Sequence, residues 1–69
     1  MPDGRVLWFD DIKGVGRIRA DRDGSLLKVK HSSVLRQGYK VLDEGQRVSF
    51  TVVRCRDGLE ACSVTLLDN

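Results

Sequence analysis

Apolar and polar residues alternate along much of this chain with the period of two that a half-buried β-strand requires. The pattern is clearest over Gln46–Arg54, where Val48, Phe50 and Val52 alternate with Ser49, Thr51 and Val53. It recurs over Leu26–His31, where Leu27 and Val29 fall to one side and Lys28 and Lys30 to the other. Arg5–Asp10 and Gly14–Ala20 read as two further strands, the second with Val15, Ile18 and Ala20 as its apolar members, and Ala61–Leu67 as a fifth. Between them lie the loop Asp10–Gly14, a turn over Asp21–Ser25, a connector over Ser32–Gly38 with a helical turn at Ser32–Leu35, a polar loop over Tyr39–Gly45 and a turn at Asp57-Gly58. No segment shows helical periodicity or internal repetition. Five short strands with a long connector after the third predict a closed all-β barrel, since closure removes the unpaired edges of a small open sheet. The expected architecture is a five-stranded antiparallel OB-fold barrel, with residues 1–69 as one domain and Phe50 in its core.

Composition narrows the function. A chain of 69 residues buries only about 60% of its unfolded surface, too little for a deep catalytic pocket with a supporting shell. Hydrophobic residues make up 41%, which suits a folded domain, and no apolar run approaches a membrane span. The opening Met-Pro-Asp-Gly-Arg-Val carries no hydrophobic signal segment, so a cytoplasmic protein is expected. Twelve lysines and arginines against ten acids leave a net charge of +2, which permits a polyanionic partner without demanding one.

Enzyme and metal chemistry find little support. His31 has no identifiable nucleophile or paired carboxylate, and Asp10 and Asp11 sit side by side in a loop as turn residues do. The Asp21–Ser25 run begins like a calcium loop but lacks the ligand pattern and the closing glutamate. Cys55, Cys62 and His31 lack a fourth ligand and the normal spacing for zinc. Nor are the cysteines placed for a disulfide. If Val52 and Val64 face each other across the last hairpin, the thiols fall on opposite faces. If Asp57-Gly58 is a tight turn, they share a face but lie diagonally, roughly 7–8 Å apart and beyond the usual span. Reduced thiols are expected. No catalysis, cofactor, small-molecule substrate or membrane is expected.

The chemistry-bearing stretch is Val6–Ile18. It holds the only tryptophan, Trp8, beside Phe9, and a Lys13-Gly14-Val15-Gly16-Arg17-Ile18 run that enters the second strand. Glycines on both sides of Val15 mark a close approach to the backbone or a sharp coil of the strand. An aromatic beside a lysine-glycine strand on an open sheet face is a common way to hold a single nucleic-acid strand. The competing interpretation places Trp8 in the core and leaves the glycines to curve a barrel.

The segments Gly4-Arg5-Val6-Leu7-Trp8-Phe9, Lys13 to Ile18, and Gly38-Tyr39-Lys40-Val41-Leu42-Asp43-Glu44-Gly45-Gln46-Arg47-Val48-Ser49-Phe50 together resemble the bacterial cold-shock protein family over nearly the whole chain. The resemblance implies a five-stranded OB-fold that binds single-stranded RNA and DNA on a sheet face bearing two motifs, RNP1 and RNP2. The family's roles are RNA chaperone, antiterminator or regulator of translation in the cytoplasm. Trp8, Phe9, Lys13 and Tyr39 match ligand-contacting positions of the family.

The departures fall on that face. The family's first motif reads Lys-Gly-Phe-Gly-Phe-Ile, and its two stacking aromatics are replaced here by Val15 and Arg17. The second, usually Val-Phe-Val-His-Phe, aligns without gaps to Leu27-Lys28-Val29-Lys30-His31. An insertion that matched His31 to the family histidine would turn Lys28 and Lys30 into the barrel, at the cost of burying two unpaired ammonium groups. Leu7 replaces a first-strand lysine, and Asp57 aligns with a basic residue near the tip of the last hairpin.

Each stacked base is worth about 1–3 kcal/mol, so the lost rings predict weaker binding. Arg17, Lys28 and Lys30, with Lys13 and His31, predict a cationic face whose binding is less sequence-selective and more salt-sensitive. Arg17 retains some capacity to stack. The expected interface is Trp8, Phe9, Lys13, Val15, Arg17, Lys28, Lys30, His31 and Tyr39, with single-stranded RNA or DNA as partner. The alternatives are that the two lysines form only a solvated strand face, or that the barrel has lost nucleic-acid binding and recognises a protein through an exposed patch of Leu7, Phe9 and Val15.

Overall fold

The structure is a computed structural model that describes residues 2–36, 38 and 41–67. Five strands form: β1 (Asp3–Asp10), β2 (Val15–Ala20), β3 (Leu26–Lys30), β4 (Arg47–Cys55) and β5 (Gly58–Leu66). They close into a barrel in the order β1-β2-β3-β5-β4, with β4 returning to pair with β1. Closure into an all-β five-stranded barrel is as the alternation predicts. One seam corrects the fully antiparallel expectation. β3 and β5 run parallel, meeting at Lys28 and Glu60, and an isolated parallel bridge joins Val34 to Val64. Among the described residues no helix is long and apolar enough to cross a membrane.

The inward faces supply the core. Val6, Ile18, Leu27, Val29, Val34, Val48, Phe50 and Val64 are fully buried, and each contributes about 1.5–3 kcal/mol of transfer free energy. Phe50 is the largest. Its position depends on a bulge in the β4–β5 ladder. Ser49 pairs with Thr65 and Thr51 with Cys62, so the single residue Phe50 stands opposite two, Ser63 and Val64. Ser63 takes a positive φ of 50° there, and both Phe50 and Val64 turn inward.

Several expectations about the core and turns need correction. Val52 keeps the inward parity of Val48 and Phe50 but is 43% exposed. It lies at the open end of the barrel, where it lines a hollow of about 740 Å³ with Leu27 and Leu59. Leu42, in what the sequence reads as a polar loop, is buried in the core. The helical turn is a 3-10 turn over His31–Ser33 rather than Ser32–Leu35, so β3 ends at Lys30. The last hairpin turns on Arg56-Asp57, because Cys55 pairs with Gly58 and β5 already begins there. Neither hairpin register weighed for the cysteines is therefore the one found. Cys62 pairs with Thr51 and both thiols are free. The Asp21–Ser25 turn forms as expected, with the Ser25 amide donating to Asp23 Oδ1 at 3.0 Å. That bond holds the Asp23 carboxyl below its ordinary pKa.

Candidate nucleic-acid interface

A bulge in β1 decides which way Trp8 points. Val6 pairs with Ile18, but the next pair is Trp8 with Arg17, which leaves Leu7 as the extra residue. Without that insertion Trp8 would share the face of Val6, because residues two apart in a strand lie on the same side. With it Val6 is buried while Trp8 is 47% exposed. Phe9 in turn pairs with Gly16 and packs against the core, half-buried. Phe9, expected at the nucleic-acid interface, therefore lies at the margin of the face. It borders a recess of about 290 Å³ shared with Trp8, Val41, Leu42 and the acidic residues Asp11, Asp43 and Glu44.

From Trp8 a row of outward positions crosses the sheet: Trp8 opposite Arg17, Arg17 opposite Lys28, Lys28 beside Glu60, and Glu60 opposite Val53. A second row sets Asp10, Val15 and Lys30 side by side. Trp8 and the lysines of β3 therefore belong to one continuous face. Among the described residues Trp8 is its only exposed aromatic. Leu7, Phe9 and Val15 are all half-buried, so the exposed apolar patch expected of a protein-binding surface does not form at those residues.

The β1–β2 loop is built by Asp10. Its Oδ1 accepts hydrogen bonds from the amides of Ile12 and Lys13 at 3.0 and 2.9 Å, and its carbonyl accepts from Gly14 N–H at 2.7 Å. These bonds fix the backbone of Lys13 in the loop between β1 and β2, where its side chain is exposed. Gly14 then needs a φ of +71°, and a Cβ there would lie 2.6 Å from His31 Nδ1. The His31 amide donates to the Gly14 carbonyl at 2.8 Å. His31 is thereby brought beside the Lys13 loop, at the end of β3 and exposed. Tyr39 lies outside the described residues.

The electrostatics correct the expectation of a uniformly cationic face. Lys28 Nζ lies 3.8 Å from Asp57 Oδ2, and Lys30 Nζ lies 3.8 Å from Glu60 Oε1. Arg17 and Lys13 make no ion pair among the described residues. Glu60 is held from a second side, since its Oε2 accepts a hydrogen bond from Cys55 Sγ at 3.3 Å. That bond, followed by burial and the nearby carboxylates, raises the Cys55 pKa. Asp57 and Glu60 are the residues sequence reasoning missed. The departure at Asp57 was visible, but its partner comes through the parallel β3–β5 seam, which no local pattern announces.

Comparisons with known proteins agree with this geometry. The family model described as the "'Cold-shock' DNA-binding domain" matches residues 2–67. Among curated relatives, the cold shock-like protein CspA of Vibrio cholerae is 45% identical over 64 residues, covering 93% of this chain and 91% of its own. The major cold shock protein CspA of Pseudomonas aeruginosa is 44% identical with the same coverage. Cold shock protein CspB of Bacillus caldolyticus is 39% identical over 67 residues and covered along its whole length. Among solved structures, drosophila Unr CSD456 superposes with a TM-score of 0.80 at 22% identity. The match covers 97% of this chain but only 26% of that longer one.

Proposed function

The chain belongs to the cold-shock domain family, and from that premise we propose that it binds single-stranded RNA or DNA across the face that carries Trp8. The observation that carries this reading is the direct pairing of an exposed tryptophan with an arginine that has no ion-pair partner among the described residues. A base stacks on the indole while the guanidinium meets the adjacent phosphate or stacks in its turn. Lys13, fixed by the Asp10 cap, supplies a second phosphate contact. With one exposed aromatic on the described face, fewer bases are stacked than on a face bearing several, and charge carries a larger share of the affinity. Binding is accordingly weaker, less sequence-selective and more salt-dependent than in a relative that keeps the aromatic motifs. Residues 1–69 act as one domain in the cytoplasm, as an RNA chaperone or regulator that keeps strands open through transient contacts and needs no cofactor or catalytic step.

Trp8 fluorescence reports directly on this site. Titration with oligo-U or oligo-dT at low salt is expected to quench it saturably, with affinity falling steeply towards physiological salt. Arg17→Ala is expected to weaken binding several-fold and to flatten the salt dependence by about 0.7 in logarithmic slope, the share of one single-strand phosphate contact. Absence of quenching at every salt concentration would overturn the proposal and favour a barrel that recognises a protein instead.

A further inference from the structure

The two lysines of β3 point outward, yet each already faces a carboxylate. Lys28 sits against Asp57 and Lys30 against Glu60, both at 3.8 Å. Counted together these four groups carry no net charge, whereas Arg17 and Lys13 carry two positive charges with no partner among the described residues. The carboxylates are not equal. Asp57 has a side chain 76% exposed, so its pair with Lys28 is solvated and loosely held. The Glu60 side chain is only 15% exposed, and its two oxygens are engaged by different groups, Lys30 and the Cys55 thiol. It is the better-anchored of the two.

Resting on the nucleic-acid reading above, we infer that Glu60 and Asp57 determine the footprint: they close the β3–β5 side of the face to phosphate, so a bound strand is held at Trp8, Arg17 and Lys13. A phosphate that approaches Lys30 must displace the Glu60 carboxylate or share the lysine with it. In both cases a negative charge remains close to the phosphate, so little is gained. A phosphate beside Arg17 meets no such competitor. The acids thus shorten the path of the strand and make its affinity depend on the one exposed tryptophan.

The test is a cycle of surface variants: the isosteric pair Asp57→Asn with Glu60→Gln, the truncations Lys28→Ala with Lys30→Ala, and all four together. Binding of a labelled oligo-dT is followed by anisotropy across a salt series. Neutralising the acids is expected to tighten binding about three- to tenfold at low salt and to steepen the logarithmic salt slope by about 1.4, roughly 0.7 for each lysine released. Removing the lysines is expected to change wild-type affinity less than twofold but to cancel the whole gain in the neutralised background. Glu60→Gln alone is expected to account for most of that gain. Equal losses on removing the lysines in both backgrounds, or an unchanged slope in Asp57→Asn/Glu60→Gln, would overturn the inference and leave the nucleic-acid reading standing. If wild type does not bind but the neutralised variant does, the acids block the whole face, and the inference of a shortened footprint is overturned. If neither binds, both fall.

Discussion

Gly16→Ala is expected to lower the stability of the barrel by about 3 kcal/mol, the upper end of what overpacking usually costs. Gly16 lies inward on β2, directly opposite Phe9. A Cβ there would overlap the Trp8 carbonyl oxygen and sit 2.8 Å from Phe9 Cδ1 and 3.0 Å from Phe9 Cα. Two of those atoms are backbone, so β1 itself must move for the methyl group to fit. A domain of this size has a total stability of only roughly 3–10 kcal/mol, so the loss is a large share of it. Urea unfolding followed by circular dichroism should show a much lower midpoint with an unchanged slope. Displacement of β1 also shifts the bulge at Leu7 that turns Trp8 outward, so the surviving folded fraction should bind oligonucleotide more weakly. An unaltered midpoint would show that β1 yields without strain and that the glycine is not required for the close approach.

The same residues show how far the sequence could be read. The glycine pair around Val15 announced a close backbone approach, but not what approaches. The visitor is β1 of the same chain rather than a ligand, because Gly16 faces the core while its neighbours Val15 and Arg17 face out. Alternation placed Leu27, Val29, Val48 and Phe50 inside and Lys28 and Lys30 outside, since a period of two gives facing directly. It gave no depth. Val52 has the facing of a core residue, yet it lies where β4 reaches the open end of the barrel and there is nothing to cover it fully. Leu42 and Val34 are buried without any periodic signal around them, as residues in a connector are when the rest of the fold closes over them.

The site divides along the same line. Trp8 and Phe9 are adjacent, and simple alternation would have sent Trp8 inward with Val6. Only the resemblance to a family placed it on the face, and the bulge at Leu7 is the physical means by which it gets there. The charges were legible residue by residue and misleading as a sum. Counting Arg17, Lys28, Lys30, Lys13 and His31 gave a cationic cluster, whereas Asp57 and Glu60 cross the β3–β5 seam to meet the two lysines. Sequence separation hides such a contact. Lys28 and Asp57 are brought together by strand order, which the alternation of single strands does not encode.

On the proposed footprint, Trp8→Ala is expected to be the most damaging substitution on the face. Stacking is worth about 1–3 kcal/mol per base, or roughly a 5- to 150-fold change in affinity. With no second exposed ring among the described residues, nothing nearby compensates, so the loss should fall in the upper part of that range. Trp8 is 47% exposed, so stability should change little, and the effect can be read as binding. Anisotropy of a labelled oligonucleotide, at low salt where the charge contribution is strongest, measures it without the tryptophan signal. Val15→Phe should act with the opposite sign. Position 15 lies on the outward row next to Trp8, opposite Asp10 and Lys30, and a ring there gives the strand a second platform. Tighter binding with an unchanged logarithmic salt slope is expected, because stacking releases no counterions. If Trp8→Ala binds as wild type does while Arg17→Ala does not, charge alone holds the strand and the indole has no part in it.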